Sequence, residues 1–211
     1  MIKNATITLA AITAVVFVLQ IIFPAITENF SLMSSEVFAR PWTILTSIFL
    51  HGGIEHLMYN MFALVLFGLI LEEIVGSRKF LLLYFSSGLI ASLATIPFYN
   101  ASLGASGAVF GILGALAILR PKMVVWINFI PVPMFLAIFI WAAIDLFGFF
   151  FPTNIANAAH LAGLILGVLY GLYLRGSFGE KFFHKHKHSL EISEEKFRDW
   201  EDRNMQLRNI Y

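Results

Sequence analysis

Two residues of this chain sit where their type and neighbours could do covalent chemistry. Ser106 lies in the run Gly104-Ala105-Ser106-Gly107, and His160 opens a run in which Gly163, Gly167 and Gly171 recur at helical spacing. Gly104 and Gly107 remove side chains on either side of the serine, so a backbone or a substrate can approach it closely. A serine at a helix start also has unpaired N–H groups beside it, which favour developing negative charge. The run is not the nucleophile elbow of soluble hydrolases, which has glycine two residues after the serine; Ala108 stands there. Taken alone, Ser106 reads as a small residue at a tight helix contact, in line with Gly107, Gly111 and Gly114. His160 changes that reading. Its glycines make one smooth helix face, and the glycine-rich stretch around Ser106 is the partner such a face fits. That packing brings imidazole and hydroxyl together, the minimal unit of nucleophilic acyl transfer with histidine as base and then acid.

Other polar residues fall into the same layer. His56 and Asn60 are four apart, share a helix face, and can both donate hydrogen bonds to an oxyanion, as can the Ser106 backbone N–H. Their plainer role is polar packing or water binding. Phe110, four residues after Ser106, is placed to pack against the histidine ring. Asn157 lies with His160 near the start of one segment. Asp145 is the one aspartate of the layer; no carboxylate clearly completes a triad, and Asp145 is expected to anchor the end of its own helix. His51, Glu55 and His56 form a rival constellation. Their spacing is His-x-x-x-Glu-His, which matches neither order of metalloprotease motif, and Gly52-Gly53 interrupts the helix that would align ligands. No metal is expected; His51 and Glu55 are read as ordering water and backbone at the cavity mouth.

Positioning such residues falls to elements that the composition identifies. Of 211 residues, 59% are hydrophobic and 13% charged, and the mean hydropathy is +0.81. A soluble domain is about a quarter charged, so this chain cannot cover a water-facing surface. It is also far too apolar to stay disordered. The expected class is all-α, a polytopic membrane protein. A net charge of +1 gives no reason to expect nucleic acid. With no cysteine there are no disulfides and no thiolate sites.

Six hydrophobic segments are expected. The first, about 5–26, has the roughly 20 residues needed to cross a bilayer and is too long for a signal peptide, so it reads as a retained helix. The second covers about 54–75, the third 80–96 and the fourth 105–119. Pro131 and Pro133 divide the next apolar stretch, which places a fifth helix at about 132–147, since proline suits a helix's first turn. Residues 124–130 then become an irregular segment near the membrane interface, where Trp126 is at home. The sixth helix covers about 155–174. With the N-terminus inside, only Arg40 of the 14 lysines and arginines lies outside, which the positive-inside rule predicts. Both termini are therefore expected in the cytoplasm of a multi-pass cell-membrane protein. The expected division is a transmembrane domain over 1–175 and a polar tail over 176–211. In that tail His184, His186 and His188 alternate with lysines and read as a basic segment facing anionic headgroups rather than a metal site. Phe197, Trp200, Asn204 and Leu207 fall at helical spacing, which suits a surface-lying helix, a partner-binding helix or a mildly amphipathic tail. There is no inverted pair of broken helices of the kind transporters use.

Three motifs carry a resemblance. They are His51-Gly52-Gly53-Ile54-Glu55-His56-Leu57-Met58-Tyr59-Asn60, Gly104-Ala105-Ser106-Gly107, and Ala159-His160-Leu161-Ala162-Gly163 continuing to Gly167. In this order and within six spans, the chain resembles the rhomboid intramembrane serine proteases of the prokaryotic six-helix type, over roughly residues 5–175. The resemblance implies Ser106 as nucleophile and His160 as its base, with His56 and Asn60 stabilising the oxyanion and Phe110 stacking on the histidine. Gly104 is read on the substrate-binding side of the site, with Gly107, Gly163, Gly167, His51 and Asn157 in support. The resemblance also implies that the loop at about 27–41 is the family's membrane-embedded hairpin. The family often carries a Trp-Arg pair there, which Arg40-Pro41-Trp42 only approximates.

Two functions follow as expectations. The first is an endopeptidase that cuts transmembrane helices near their outer ends, needing no cofactor or metal. Such a helix holds its carbonyls in internal hydrogen bonds and must unwind before attack, so small or helix-breaking residues near the cut are favoured. Its partners are transmembrane substrates and the lipid bilayer. The second is an inactive relative that binds or chaperones membrane proteins, which would keep the fold and lose Ser106 or His160. A small transporter is a third possibility, opposed by the lack of repeats. The chain's oligomeric state and natural substrate are not written in these motifs.

Overall fold

The computed structural model describes residues 4–151 and 155–190, with side chains to 176. It divides into two units, Met1–Leu172 and Tyr173–Tyr211. In the first unit α1 (Ala5–Ile22) is followed by a short α2 (Ala25–Phe30), β1 (Leu32–Met33) and a single turn, α3 (Thr43–Thr46). Then come α4 (Ile54–Val75), α5 (Ser77–Thr95), β2 (Ala101–Ser102) and α6 (Ser106–Leu119). A hairpin of β3 (Val124–Ile127) and β4 (Ile130–Pro133) leads into α7 (Met134–Phe150), and α8 (Asn157–Leu190) begins in this unit. The second unit is helical as far as Leu190. His184, His186 and His188 lie beyond the described side chains, and Phe197, Trp200, Asn204 and Leu207 lie outside the described residues.

By length and apolarity alone, α1, α4 and the stretch Asn157–Gly176 of α8 can cross a membrane, while α6 and α7 are shorter apolar helices. α5 has 19 residues, but its first turn carries Arg78 and Lys79. A helix that is apolar all round must be buried or lipid-facing. α6 is the buried one: ten of its 14 residues, from Gly107 to Ala117, are buried. α7 is the opposite case, with only Met134, Ala137 and Asp145 buried among 17 residues.

Glycine lets α6 sit between two neighbours. A Cβ on Gly107 would collide with Ala91 of α5, and one on Gly111 with Ser87 of the same helix. On the other side, a Cβ on Gly163 or Gly167 of α8 would strike the carbonyl oxygens of Gly107 and Gly111. Backbones in direct contact gain dispersion along their length, the main driving force between helices where no water is displaced.

At the opposite end from Ser106, α1 is tied to α4 through Glu72. Its carboxylate accepts from Ala5 N (2.7 Å), Thr6 N (2.8 Å), Thr6 Oγ1 (2.7 Å) and Ser77 Oγ (2.6 Å). The first N–H groups of a helix have no partner within it, and here a carboxylate from another helix supplies one.

Several boundaries differ from the sequence expectation. The first helix ends at Ile22 instead of continuing to Ile26, because Pro24 starts a separate turn of helix. α5 starts at Ser77, directly after Gly76 at φ 82°, rather than at the first apolar residue, Phe80. Residues 124–130 are not irregular. Val124–Ile127 pairs antiparallel with Ile130–Pro133, turning through Asn128 and Phe129, both at positive φ. That pairing holds Val132 in the sheet, so α7 starts at Met134 and runs to Phe150 rather than Phe147. Between α1 and α4, Arg40 Nη1 donates to Glu28 O (2.7 Å) and Trp42 Nε1 to Asn29 O (3.3 Å), while Arg40 also pairs with Glu36. Arg40 and Trp42 thus fasten this loop onto the end of α2.

Candidate active site

The polar residues singled out in the sequence meet at one end of α4, α6, α7 and α8. Ser106 is the first residue of α6, reached from β2 through Gly104 at φ 127°, a conformation that side chains rarely adopt. The loop is pinned by Gly104 N donating to Ser47 O at 2.9 Å and by the Leu32–Ser102 pairing of β1 with β2. His160 lies in the first turn of α8, and the close passage of α8 over α6 sets its reach. His160 Nε2 is 2.9 Å from Ser106 Oγ. The Phe110 ring stacks on the imidazole with centroids 4.3 Å apart and planes 9° from parallel. The other ring nitrogen, Nδ1, is 2.9 Å from Asp145 Oδ1.

Asp145 is the residue that sequence reasoning placed wrongly. Rather than anchoring the end of α7, its carboxylate turns inward to His160 and is 5% exposed. The available signal was depth: Asp145 was already assigned to the layer of Ser106 and His160. Its partner followed only from how α7 is rotated, which the proline-marked boundary did not fix.

His56, Asn60, Ser106, Phe110 and His160 line one cavity of about 880 Å³, with Glu55, Trp141 and backbone around Gly52-Gly53 at its wall. The His56 ring lies over Gly104: a Cβ there would be 2.8 Å from His56 Cε1 and 2.9 Å from Nε2. Asn60 is buried and donates one amide hydrogen to His56 O at 2.9 Å, leaving its second donor. Behind Ser106 is a much smaller cavity of about 20 Å³, lined by Ser47, Ser92, Thr95, Ser102 and Gly104. That is room for a single water, and Thr95 Oγ1 and Ser102 Oγ there are 2.9 Å apart.

One predicted supporting residue, His51, sits elsewhere than expected, and a second, Asn157, lies outside the cavity. His51 is not at the cavity mouth; it is buried behind His56, its ring edge-on with centroids 5.0 Å apart. Gln20 of α1 fixes it there, accepting from His51 N (3.0 Å) and donating to His51 O (3.2 Å). Asn157 does not line the cavity. It is buried against α7, where a Cβ on Gly148 would be 2.9 Å from its Nδ2. Glu55 remains exposed at the cavity wall.

These features define a class: a helical membrane protein with a serine–histidine pair facing a cavity at one end of its bundle. The rhomboid domain model matches residues 39–177, and the chain belongs to the rhomboid family. It is similar to Rhomboid protease GluP of Bacillus subtilis, 40% identical over 148 residues that cover 66% of this chain and 28% of that protein. Rhomboid protein 1, mitochondrial, of Saccharomyces cerevisiae is 34% identical over 163 residues, covering 70% of this chain and 46% of that one. RHOMBOID-like protein 1 of Arabidopsis thaliana is 38% identical over 133 residues, 62% and 33% of the two chains. The chain spans less than half the length of each of these relatives.

Proposed function

We propose that the chain is an intramembrane serine endopeptidase that cuts transmembrane segments of other membrane proteins near their outer ends. Ser106 is the nucleophile and His160 its base. Ser106 Oγ attacks the scissile carbonyl carbon while His160 Nε2 takes the hydroxyl proton. The tetrahedral oxyanion is met by the backbone N–H at the start of α6 and by His56 and Asn60. The C–N bond then breaks, His160 gives its proton to the leaving amine, and an acyl ester remains on Ser106. Water attacks that ester, its proton passing through His160 back to Ser106 Oγ. No step calls for a cofactor.

The observation that carries this reading is the 2.9 Å Ser106–His160 contact on the wall of a large cavity, with Phe110 stacked on the imidazole. The orientation of basic residues supports cytoplasmic termini and a site at the outer end of the bundle. A binding-only relative would have no use for a paired hydroxyl and imidazole.

The test uses the full chain purified into liposomes with a single-span substrate carrying a helix-breaking outer end. Wild type is expected to cleave it, and Ser106→Ala and His160→Ala to fall to background. Cleavage that survives Ser106→Ala would reject the nucleophile. No cleavage by wild type across several substrates would reject the peptidase reading.

A further inference from the structure

We propose that Asp145 is a positioning residue for His160, holding the imidazole from α7 in the tautomer that faces Ser106; this rests on the peptidase reading. For His160 to accept the Ser106 proton, the Nε2 lone pair must point at Oγ, so the ring hydrogen must sit on Nδ1. A neutral imidazole exchanges its two tautomers freely unless a partner on one nitrogen selects one. Asp145 Oδ1, 2.9 Å from Nδ1, is that partner. An ionised carboxylate accepts only, so the contact selects the Nδ1–H form.

Burial gives the contact its force. Asp145 and His160 side chains retain 7% and 13% of their exposure, and among the described residues His160 is the hydrogen-bond partner of the Asp145 carboxylate. A buried carboxylate is costly unless it is paired, and here its pairing falls on the one histidine that touches Ser106. When His160 takes the Ser106 proton, the imidazolium forms against a fixed negative charge in a medium where such attraction is strong. Phe110 holds the face of the ring while Asp145 and Ser106 hold its two nitrogens. The imidazole is thereby fixed in position, plane and tautomer by three helices.

The experiment compares wild type, Asp145→Asn and Asp145→Glu in the purified full chain, with two readouts. With the single-span substrate, Asp145→Asn is expected to lower kcat on the order of 10²–10⁴-fold with little change in KM, because an amide can hold the wrong tautomer. Asp145→Glu, which keeps the acceptor, is expected to recover part of that loss. The second readout needs no substrate. In the ¹⁵N spectrum of labelled histidine, the His160 signals (identified by their loss in His160→Ala) are expected to show Nδ1–H in wild type and a changed tautomer in Asp145→Asn. Wild-type kcat in Asp145→Asn would overturn the proposal. So would a fall in kcat matched by a fall in Tm with the His160 tautomer unchanged, which is the signature of a merely structural role. Should wild type cleave nothing, the peptidase reading fails while the tautomer readout still decides whether Asp145 positions the ring.

Discussion

Gly163 of α8 lies so close to Gly107 of α6 that a methyl group on Gly163 would overlap the Gly107 carbonyl oxygen and approach its carbonyl carbon at 2.8 Å. The residue that brings α8 onto α6 is thus one helical turn from His160, and the glycine it meets follows Ser106 directly. Gly163→Ala must push the two backbones apart. Overpacking of this kind costs about 1–3 kcal/mol, and the displacement falls on the Ser106–His160 distance. Gly163→Ala is expected to lower Tm and to reduce kcat on the order of 10²-fold, since small misplacements of reacting groups are that costly. Gly176→Ala, where a Cβ meets nothing within 4 Å, serves as the control and is expected to leave both unchanged.

Gly104→Ala tests a different constraint. At φ 127° an L side chain is strained, and the new Cβ would press on the His56 ring at 2.8 Å. Such backbone strain costs about 1–3 kcal/mol, and the easiest relief is for His56 to swing away. If His56 helps hold the oxyanion, kcat should fall on the order of 10²–10³-fold, the usual loss for one such donor. The activity loss should exceed what the change in Tm accounts for. A His56→Ala, Gly104→Ala double variant should lose little further kcat per folded molecule beyond His56→Ala, because the clashing ring is already gone, while the strain at φ 127° still lowers its Tm.

The sequence made the contact between Ser106 and His160 visible because glycine spacing reports on packing. Gly163 and Gly167 facing a glycine-rich partner implied contact between two particular helices, and contact fixed the pairing of His160 with Ser106. α4 could be bounded at Ile54 and Val75 for a similar reason, since Gly53 and Gly76 punctuate both ends. Rotation and end structure were not legible. Asp145 sits on a helix that is apolar on every side, so no stripe revealed which face points inward. The hairpin at 124–133 was hidden because apolar strands and apolar helices look alike over short runs. The role of Glu72 was not legible, because its partners Ala5 and Thr6 lie 67 and 66 residues away.

Glu72 is expected to be a large single contributor to stability. Its carboxylate satisfies two N–H groups of α1 and two hydroxyls, and hydrogen bonds to a charged group are worth about 1.5–3 kcal/mol each. The contributions are not additive, so Glu72→Ala is expected to cost about 3–5 kcal/mol and to detach α1 from α4. Glu72→Gln keeps one acceptor oxygen and should cost less. Thermal unfolding in detergent measures both, and proteolysis near Ala5–Ile22 reports whether α1 loosens first. Since Glu72 lies at the opposite end from Ser106, kcat per folded molecule should hold for Glu72→Gln. An equal loss of kcat without a change in Tm would refute the structural role.

His51 makes the fold sensitive to acid. It lies in the turn before α4, and burial, reinforced by the neighbouring His56, pushes its pKa from 6.5 down to about 4. In the unfolded chain His51 binds a proton as the pH falls through 6.5, whereas in the folded chain it stays neutral until about 4. Protons therefore bind the unfolded state first, and folding stability declines as pH is lowered across that interval. Above pH 6.5 both states are neutral at this residue and its contribution is flat. Replacing His51 with phenylalanine, which fills the pocket without titrating, should remove this part of the slope while leaving the Gln20 contacts to the residue-51 backbone intact. The check is Tm against pH from 7.5 to 4 for wild type and His51→Phe. The two curves should diverge as the pH drops, with the wild type falling more steeply; parallel curves would show that His51 carries no such load.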